Sequence, residues 1–235
     1  MTLYPAVFSY FLRFCLKVLL RFYLKIRHRV EEDIPPGPKV FAVNHPTVWD
    51  AFPILALVHQ TFVRTLVEDQ IWSFLVPRII FRLGNQIVLH RSEESLQTIR
   101  DAMYVLSKGD AVLIAPEGER TDPAVKVRAR RGVARLAIAA RAAVIPVGAW
   151  ISKDDIVMKK VHYRFKMRRY SVDSYFPRFR CSYGLVIGRP MHFDAYFDRE
   201  LSLDEYQDIA SAILDRIYEL SEKARKLVQR TERTL

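Results

Sequence analysis

The chain has 235 residues, half of them hydrophobic, and a formal net charge of +11. This length fits one domain of generous size or one domain with an appendage, and the apolar fraction is sufficient for a full core. The only cysteines are Cys15 and Cys181, which excludes a disulfide scaffold, and no metal-ligand spacing or glycine-rich phosphate loop occurs. The positive charge indicates an anionic partner, such as a phospholipid surface, a nucleic acid or a phosphorylated substrate.

The first segment, residues 3–29, is predicted to form one amphipathic helix, or two helices broken by a bend. Cations recur at every fourth position, at Arg13, Lys17, Arg21 and Lys25, among apolar and aromatic residues. On a helix they form one cationic stripe, and they interrupt every turn, which argues against a membrane-spanning helix. We interpret the segment as lying in the interface of an anionic membrane. The alternative is a helix that covers the core with snorkelling Lys and Arg side chains.

A stiff linker, DIPPGP at 33–38, is followed by an alternation of predicted strands and helices. The apolar runs read as strands are 40–43, 62–67, 86–89, 111–115, 144–150 and 183–187. The segments read as helices are 46–58, 71–83, 92–107 and 131–141, with a last helix that starts at Ser202. This alternation predicts an α/β fold with a mostly parallel central sheet flanked by helices. Active sites of such sheets gather at the carboxyl ends of the strands.

Residues 152–180 interrupt the alternation and are rich in Lys, Arg and aromatic side chains. That mixture suits a membrane interface or RNA. A solvated basic excursion between two strands is an equally weighted alternative. The last helix opens with a capping-box sequence, Ser202-Leu203-Asp204-Glu205, and is most simply structural.

His45 follows the first predicted strand, and Asp50 lies five residues later. Positions five apart do not face each other on a helix, so the two side chains meet only if the His45 ring folds back over the first helical turn. Asp50 would then accept the proton of one imidazole nitrogen and leave the other nitrogen as a base. For this pair alone, a loop histidine beside a helix-capping aspartate is the simpler interpretation.

Four sequence blocks, taken together, favour a catalytic pair over this simpler interpretation. They are NHPTVWD at 44–50, GNQIVLHR at 84–91, APEGERT at 115–121 and VIPV at 144–147. In this order they resemble the glycerolipid acyltransferases, typified by 1-acylglycerol-3-phosphate acyltransferase. That family carries N-H-x-x-x-x-D, G-x-(x)-F-I-x-R, F-P-E-G-T-R-S and V-P-[VI] blocks. The resemblance covers roughly residues 39–150.

The resemblance implies a role for each matching residue. His45 and Asp50 would be catalytic, and the substrate-binding residues would be Arg91, Glu117, Gly118 and Arg120. Transfer of an acyl group from a thioester to an alcohol needs a base, and histidine titrates in a suitable range. The chain has no serine in a nucleophile elbow and no nearby candidate cysteine, which favours direct transfer without an acyl-enzyme.

Two departures from the family blocks affect the expected acceptor. Glu119 stands where the family usually has threonine, and Ala115 where it has phenylalanine. The negative charge of Glu119 beside a phosphate site weakens the case for lysophosphatidic acid itself. His90 alternates with Arg91 along a strand and is therefore expected to be structural.

These observations lead to one hypothesis with two alternatives. Helices at 1–33 would associate with an anionic membrane, and 34–235 would form the acyltransferase domain, with a core at 39–150, the basic excursion at 152–180 and a C-terminal strand and helix at 183–230. The protein would move a fatty acyl group from acyl-CoA or acyl carrier protein to a lysophospholipid, by default 1-acylglycerol-3-phosphate, at the cytoplasmic face of the cell membrane. No resident cofactor and no nucleic acid partner are expected. The alternatives are another acceptor, such as an ornithine lipid precursor or a glycolipid, and a non-catalytic basic protein that binds membrane or RNA.

Overall fold

The structure, a computed structural model, describes residues 3–69, 71, 74–89, 95–118, 127–165 and 168–232. Its strands are β1 (Leu24–Val30), β2 (Lys39–Val43), β3 (Val63–Glu68), β4 (Ile87–Leu89), β5 (Ala111–Ile114), β6 (Ala143–Ile151), β7 (Ile156–Phe165), β8 (Arg168–Pro177) and β9 (Cys181–Ile187). Its α-helices are α1 (Leu3–Tyr23), α2 (Ala51–Leu57), α3 (Leu75–Leu83), α4 (Ser95–Ser107), α5 (Gly132–Ala139) and α6 (Leu203–Glu232).

Seven of these strands form one central sheet in the order β1-β9-β6-β2-β5-β3-β4. All neighbouring pairs are parallel except β6 and β9, which are antiparallel. The expected mostly parallel sheet flanked by helices is therefore confirmed. Strand β2 lies between β6 and β5, so the loops that follow β2 and β5 leave the same edge of the sheet side by side.

The core lies on both faces of this sheet because successive strand side chains point to opposite sides. From β2, Val40 and Ala42 join the cluster formed with α4, α5 and α6. Phe41 and Val43 point the other way and join the cluster formed with α1 and α2. Burial on both faces explains why residues 40–43 of β2 are a continuous apolar run rather than an alternating pattern.

Three segments differ from the sequence prediction. Residues 24–29, expected to be helical, form strand β1, which pairs in parallel with β9 at the edge of the sheet. Helix α2 begins at Ala51 rather than near Pro46, and residues 46–50 form a turn instead. The basic excursion contains the antiparallel hairpin β7–β8, which pairs as a separate two-stranded sheet.

Helix α6 packs across β6 and β9 and confirms the predicted capping box. The Ser202 N–H donates to Glu205 Oε2 at 2.8 Å, and the Glu205 N–H donates to Ser202 Oγ at 3.2 Å. At Gly148 of β6, a Cβ atom would overlap the backbone nitrogen of Ser221, so only glycine permits this close approach of helix to strand.

Helix α1 is apolar on two opposite sides. Leu16 and Leu20 pack on the cluster that contains Phe41 and Val43. In contrast, four other apolar residues of α1 are exposed, namely Phe11, Phe14, Val18 and Phe22. At 100° per residue these four exposed residues fall within about 80° of one another, on the side away from Leu20. Among the described residues, no helix combines the length and the apolarity needed to cross a membrane.

Candidate active site

The His45 ring and the Asp50 carboxylate meet in the turn between β2 and α2. Nδ1 of His45 lies 2.9 Å from Oδ2 of Asp50, so the imidazole folds back over the start of the helix as the spacing predicted. The Asp50 side chain is 1% exposed, whereas the His45 side chain is 31% exposed. A buried carboxylate thus holds an imidazole whose other nitrogen remains available at the carboxyl edge of the sheet.

Asp50 is surrounded by hydrogen-bond donors, which fixes the proton on His45. Its Oδ1 accepts from Thr47 Oγ1 at 2.7 Å and from the Tyr183 hydroxyl at 2.7 Å. Its Oδ2 accepts from the Thr47 N–H at 2.8 Å. Because these three donors converge on the carboxylate, Asp50 serves as an acceptor toward the His45 ring as well. Nδ1 of His45 therefore carries the proton, and the Nε2 lone pair is free to act as a base.

Tyr183 is the hydrogen-bond donor to Asp50 that lies on a distant strand. It lies on β9, is fully buried, and donates its hydroxyl to the carboxylate. Burial, and then the negative charge of Asp50, raise the pKa of Tyr183 well above 10. The phenol therefore stays protonated and keeps donating across the whole physiological range.

The loop that carries His45 is fixed on both sides. The Asn44 side chain accepts from the Ala149 N–H at 2.7 Å and donates to the Ala149 carbonyl at 2.9 Å, which extends the pairing of β2 with β6. On the other side, the Val48 N–H donates to the Tyr175 carbonyl of β8 at 2.9 Å. The base of the hairpin thus contacts the loop that carries His45, although the hairpin belongs to a different sheet.

The turn after β5 brings Glu117 to the same edge. Glu117 is buried, and its Oε2 accepts the backbone N–H of His45 at 2.8 Å. This hydrogen bond joins the loops of two neighbouring strands. Burial, and then the charge of Glu117, raise the pKa of Tyr218 on α6 to about 12, so that phenol is neutral.

Gly118 has a backbone conformation that glycine adopts at little cost. Its φ is +77°, and a Cβ atom there would lie 2.7 Å from Nε and 2.8 Å from Cγ of Arg130. The Arg130 N–H donates to the Pro116 carbonyl at 2.7 Å. The segment at 127–131 is therefore held against the turn at 116–118.

A cavity of about 470 Å³ opens beside Glu117. Its polar lining consists of Glu117, Gln207 and the guanidinium-bearing residues Arg128, Arg130 and Arg131. None of these three arginines is among the substrate-binding residues predicted from the sequence. The motif R-x-R-R at 128–131 was the available signal, but the chain has 37 Lys and Arg residues and local clusters are therefore common.

Several predicted residues have no described position. Arg91, Glu119, Arg120 and His90 lie outside the residues that the structure describes. The structure does bring together His45, Asp50, Glu117 and Gly118. Tyr183 and Thr47 complete the donor set of Asp50 and were not predicted. Thr47 lies within the first block, three residues before Asp50, whereas a tyrosine 133 residues from its partner carries no local sequence signal.

Within the described ranges, no three His, Cys, Asp or Glu side chains are grouped so that they could hold a metal ion. A larger cavity of about 530 Å³ lies between α1, β1 and α2. It is lined by apolar side chains and by cations that include Lys17, Arg21 and Arg180. None of the residues from His45 to Asp50 lines it, so it is separate from the candidate site.

The acyltransferase family model matches residues 25–150, just over half of the 235-residue chain. The chain belongs to the acyltransferase family. The resemblance drawn from the four sequence blocks is therefore confirmed, and the matched range contains both His45 and Asp50.

One solved structure extends the comparison to the fold. The crystal structure of the 1-acyl-sn-glycerophosphate (LPA) acyltransferase PlsC from Thermotoga maritima is similar to this acyltransferase with a TM-score of 0.61 and 18% sequence identity. The match covers 94% of this chain and 88% of that chain. A search of curated proteins finds no match.

Proposed function

We propose that this acyltransferase is a peripheral membrane enzyme that moves a fatty acyl group from acyl-CoA or acyl carrier protein to a lysophospholipid. The default acceptor is 1-acylglycerol-3-phosphate, which would give phosphatidic acid. The observation that carries the proposal is the half-exposed imidazole of His45 whose Nδ1 is held by a buried, four-fold hydrogen-bonded Asp50. The activity named for the structurally similar Thermotoga maritima protein supports the choice of acceptor.

In the proposed reaction, Nε2 of His45 removes the proton of the acceptor hydroxyl while that oxygen bonds to the thioester carbonyl carbon. Asp50 stabilises the imidazolium that forms, at a Nδ1–Oδ2 distance of 2.9 Å. Collapse of the tetrahedral intermediate breaks the C–S bond, and the imidazolium returns the proton to the leaving thiolate. These steps need only the base and the two substrates, so the proposal includes no resident cofactor.

The anionic membrane surface is proposed as a partner because of what α1 exposes. Phe14 and Phe22 are 64% and 65% exposed on the stripe opposite the core-packing side. Helix α3 contacts α1 and exposes Leu75, Ile79 and Leu83, which also share one side. Exposed apolar side chains on two helices that contact each other are typical of membrane or partner contacts.

The cavity between α1, β1 and α2 provides positive charge that is complementary to an anionic membrane surface. Its apolar floor includes Leu20 and Leu24, and Lys17, Arg21 and Arg180 line it as well. Cations beside an exposed apolar stripe fit an interface between acyl chains and anionic headgroups. Attachment at α1 would bring the enzyme to the bilayer where both the acceptor and the product reside.

Product analysis tests the substrate assignment most directly. Purified enzyme is given one acyl-CoA and an equimolar pool of lysolipids with and without a phosphate, and the products are identified by mass. Acylation of 1-acylglycerol-3-phosphate is expected to dominate. Exclusive use of an acceptor without phosphate, such as an ornithine lipid precursor or a glycolipid, would contradict the default acceptor while leaving acyl transfer in place.

Vesicle sedimentation tests the membrane contact separately. A Phe14→Ser/Phe22→Ser variant should lose binding to anionic vesicles while its melting temperature stays unchanged, because both rings are exposed. Tyr104→Ser is the matched control, since Tyr104 is an equally exposed aromatic on α4, away from the α1 stripe. Equal loss in both variants would refute a specific role for α1.

A further inference from the structure

One tyrosine joins helix α1 to the loop that carries His45. Tyr23 is the last residue of α1, and its ring stacks on the Trp49 ring with 4.3 Å between the ring centroids and 30° between the planes. The Tyr23 hydroxyl donates to the carbonyl of Pro177, the last residue of β8, at 3.2 Å. The Tyr23 carbonyl accepts the Arg180 N–H at 2.6 Å. One residue of α1 thus contacts both the turn between β2 and α2 and the end of the β7–β8 hairpin.

Trp49 is connected in turn to the hydrogen bonds that hold His45. Its N–H donates to Thr47 Oγ1 at 3.2 Å, and the Thr47 hydroxyl donates to Asp50 Oδ1 at 2.7 Å. Its carbonyl accepts the Phe52 N–H at 2.9 Å, in the first turn of α2. A shift of the Trp49 ring would therefore move the peptide that leads into Asp50, whose Oδ2 lies 2.9 Å from His45 Nδ1.

The last turn of α1 faces two environments. Phe22 is 65% exposed on the side that we propose to contact the membrane. Tyr23, one residue later and about 100° around the helix, is half-buried against Trp49. Because α1 passes directly into β1 without a loop, this turn is tied to the sheet. The stack therefore fixes the position of the loop that carries His45 relative to the exposed side of α1.

Apolar packing alone explains these rings incompletely. Both rings lie at the margin of the cluster that contains Phe41 and are half-buried rather than enclosed. Phe179, which is 65% exposed, adds a T-shaped contact to Tyr23 with 5.5 Å between the ring centroids. A contact of this kind buries little surface, but it restricts the orientation of the Tyr23 ring against Trp49. The arrangement favours a role in geometry over a role in burial.

We infer that Tyr23 and Trp49 are positioning residues for acyl transfer, and that their stacked rings hold His45 at a fixed place relative to the membrane-facing side of α1. This inference rests on the proposed function, and it gives neither residue a contact with a substrate. An aromatic pair of ordinary strength biases a conformational equilibrium by a factor of about three to ten. Loss of the stack should therefore lower kcat by about that factor.

The test compares Tyr23→Leu, Trp49→Leu and Tyr23→Phe with the wild type on 1-acylglycerol-3-phosphate. Leucine keeps an apolar contact with the cluster but removes the ring face, so both leucine variants should lose kcat about three- to tenfold. The KM for acyl-CoA should not change. Tyr23→Phe keeps the ring and loses only the hydroxyl, so it should retain most of the wild-type kcat.

Tyr196→Leu is the matched control. Tyr196 is also a half-buried tyrosine beside another aromatic ring, that of Phe193, but it packs against the cluster on the other face of the sheet. Its kcat should equal that of the wild type. Circular dichroism and melting temperature establish that each variant is folded, and the two leucine variants test the same stack from opposite sides.

A double-mutant cycle separates positioning from a general loss of active protein. In the His45→Gln background, Tyr23→Leu should lower the residual rate no further, because the group that the stack positions is absent. A fall of the same size in both backgrounds would refute the inference, since a loss of active protein does not depend on His45.

Trp49 fluorescence provides a measurement without turnover. The chain has three tryptophans, so a Trp72→Phe/Trp150→Phe background leaves Trp49 as the emitter. Acrylamide should quench it more strongly in Tyr23→Leu than in Tyr23→Phe, because loss of the stack uncovers the indole. If that difference appears while the wild type acylates no acceptor, the contact is supported and the proposed function fails. If the wild type acylates the acceptor and folded Tyr23→Leu keeps its kcat, or raises only the KM for acyl-CoA, the inference is wrong.

Discussion

Replacement of Asp50 by asparagine removes one charge and changes almost nothing in shape. The carboxylate accepts from four donors, two of which are the Thr47 N–H and His45 Nδ1 at Oδ2. A backbone N–H cannot turn away, so the asparagine oxygen should occupy that position. Its NH₂ group then faces the hydroxyls of Thr47 and Tyr183, which can rotate to accept. The His45 tautomer is therefore retained, and the main loss is the negative charge that stabilises the imidazolium.

The size of that loss follows from the Nδ1–Oδ2 distance of 2.9 Å. At an effective dielectric constant of about 20, two unit charges at this separation attract by about 6 kcal/mol, which is an upper bound. The His45 side chain is 31% exposed, so water screens part of this attraction. A residual of about 3 kcal/mol corresponds to a fall in kcat of about a hundredfold.

The assay is a double-mutant cycle on steady-state turnover with Asp50→Asn, His45→Gln and the combined variant. If Asp50 acts through His45, the second substitution should have no further effect once His45 is absent. Circular dichroism and melting temperature confirm that each variant is folded. Turnover near the wild-type level in folded Asp50→Asn, or losses that add in the double variant, would refute the reasoning.

Two further predictions concern stability and the turn after β5. Burial alone would raise the pKa of Glu31, but its ion pairs with Lys223 and Arg216 hold it below its usual range. Glu31→Gln should therefore lower the free energy of unfolding by about 1 kcal/mol at pH 7, and chemical denaturation should show this difference vanishing as the pH falls below 4.5 through the lowered pKa. A difference that persists in acid would contradict the ion-pair explanation. Gly118→Ala should cost about 1 kcal/mol because of its positive φ, and should displace the Arg130 side chain. Unchanged stability of Gly118→Ala would contradict the backbone strain expected at this turn.

Periodicity predicted most of the central sheet because its strands are buried apolar runs separated by helices. It failed at β1, where cations at every fourth position suggested a continuing helix through Lys25. Within residues 24–30, apolar side chains also recur at every second position, at Leu24, Ile26 and Val30, with cations between them. Pairing with β9, far along the chain, decides that this segment forms a strand. The late start of α2 has a local cause, since Thr47 and Asp50 bond within the turn instead of allowing helix there.

The sequence predicted the local pair in the candidate site but not the residues that come from distant parts of the chain. The meeting of His45 with Asp50 was predictable because both lie within one turn and the spacing restricts how they can touch. Tyr183 and the cavity arginines were not, because their positions depend on which strands and helices become neighbours. The antiparallel return of β9 beside β6 is what brings Tyr183 to Asp50.

The central claim is that His45 is the base for transfer of an acyl group to a lysolipid hydroxyl. Its most direct test is release of free CoA thiol from acyl-CoA, measured with and without 1-acylglycerol-3-phosphate for the wild type and for His45→Gln. Release should require the acceptor in the wild type and should fall by about 10²–10⁴ in the folded variant. Equal rates in the two proteins would contradict the account, and so would release that does not depend on the acceptor.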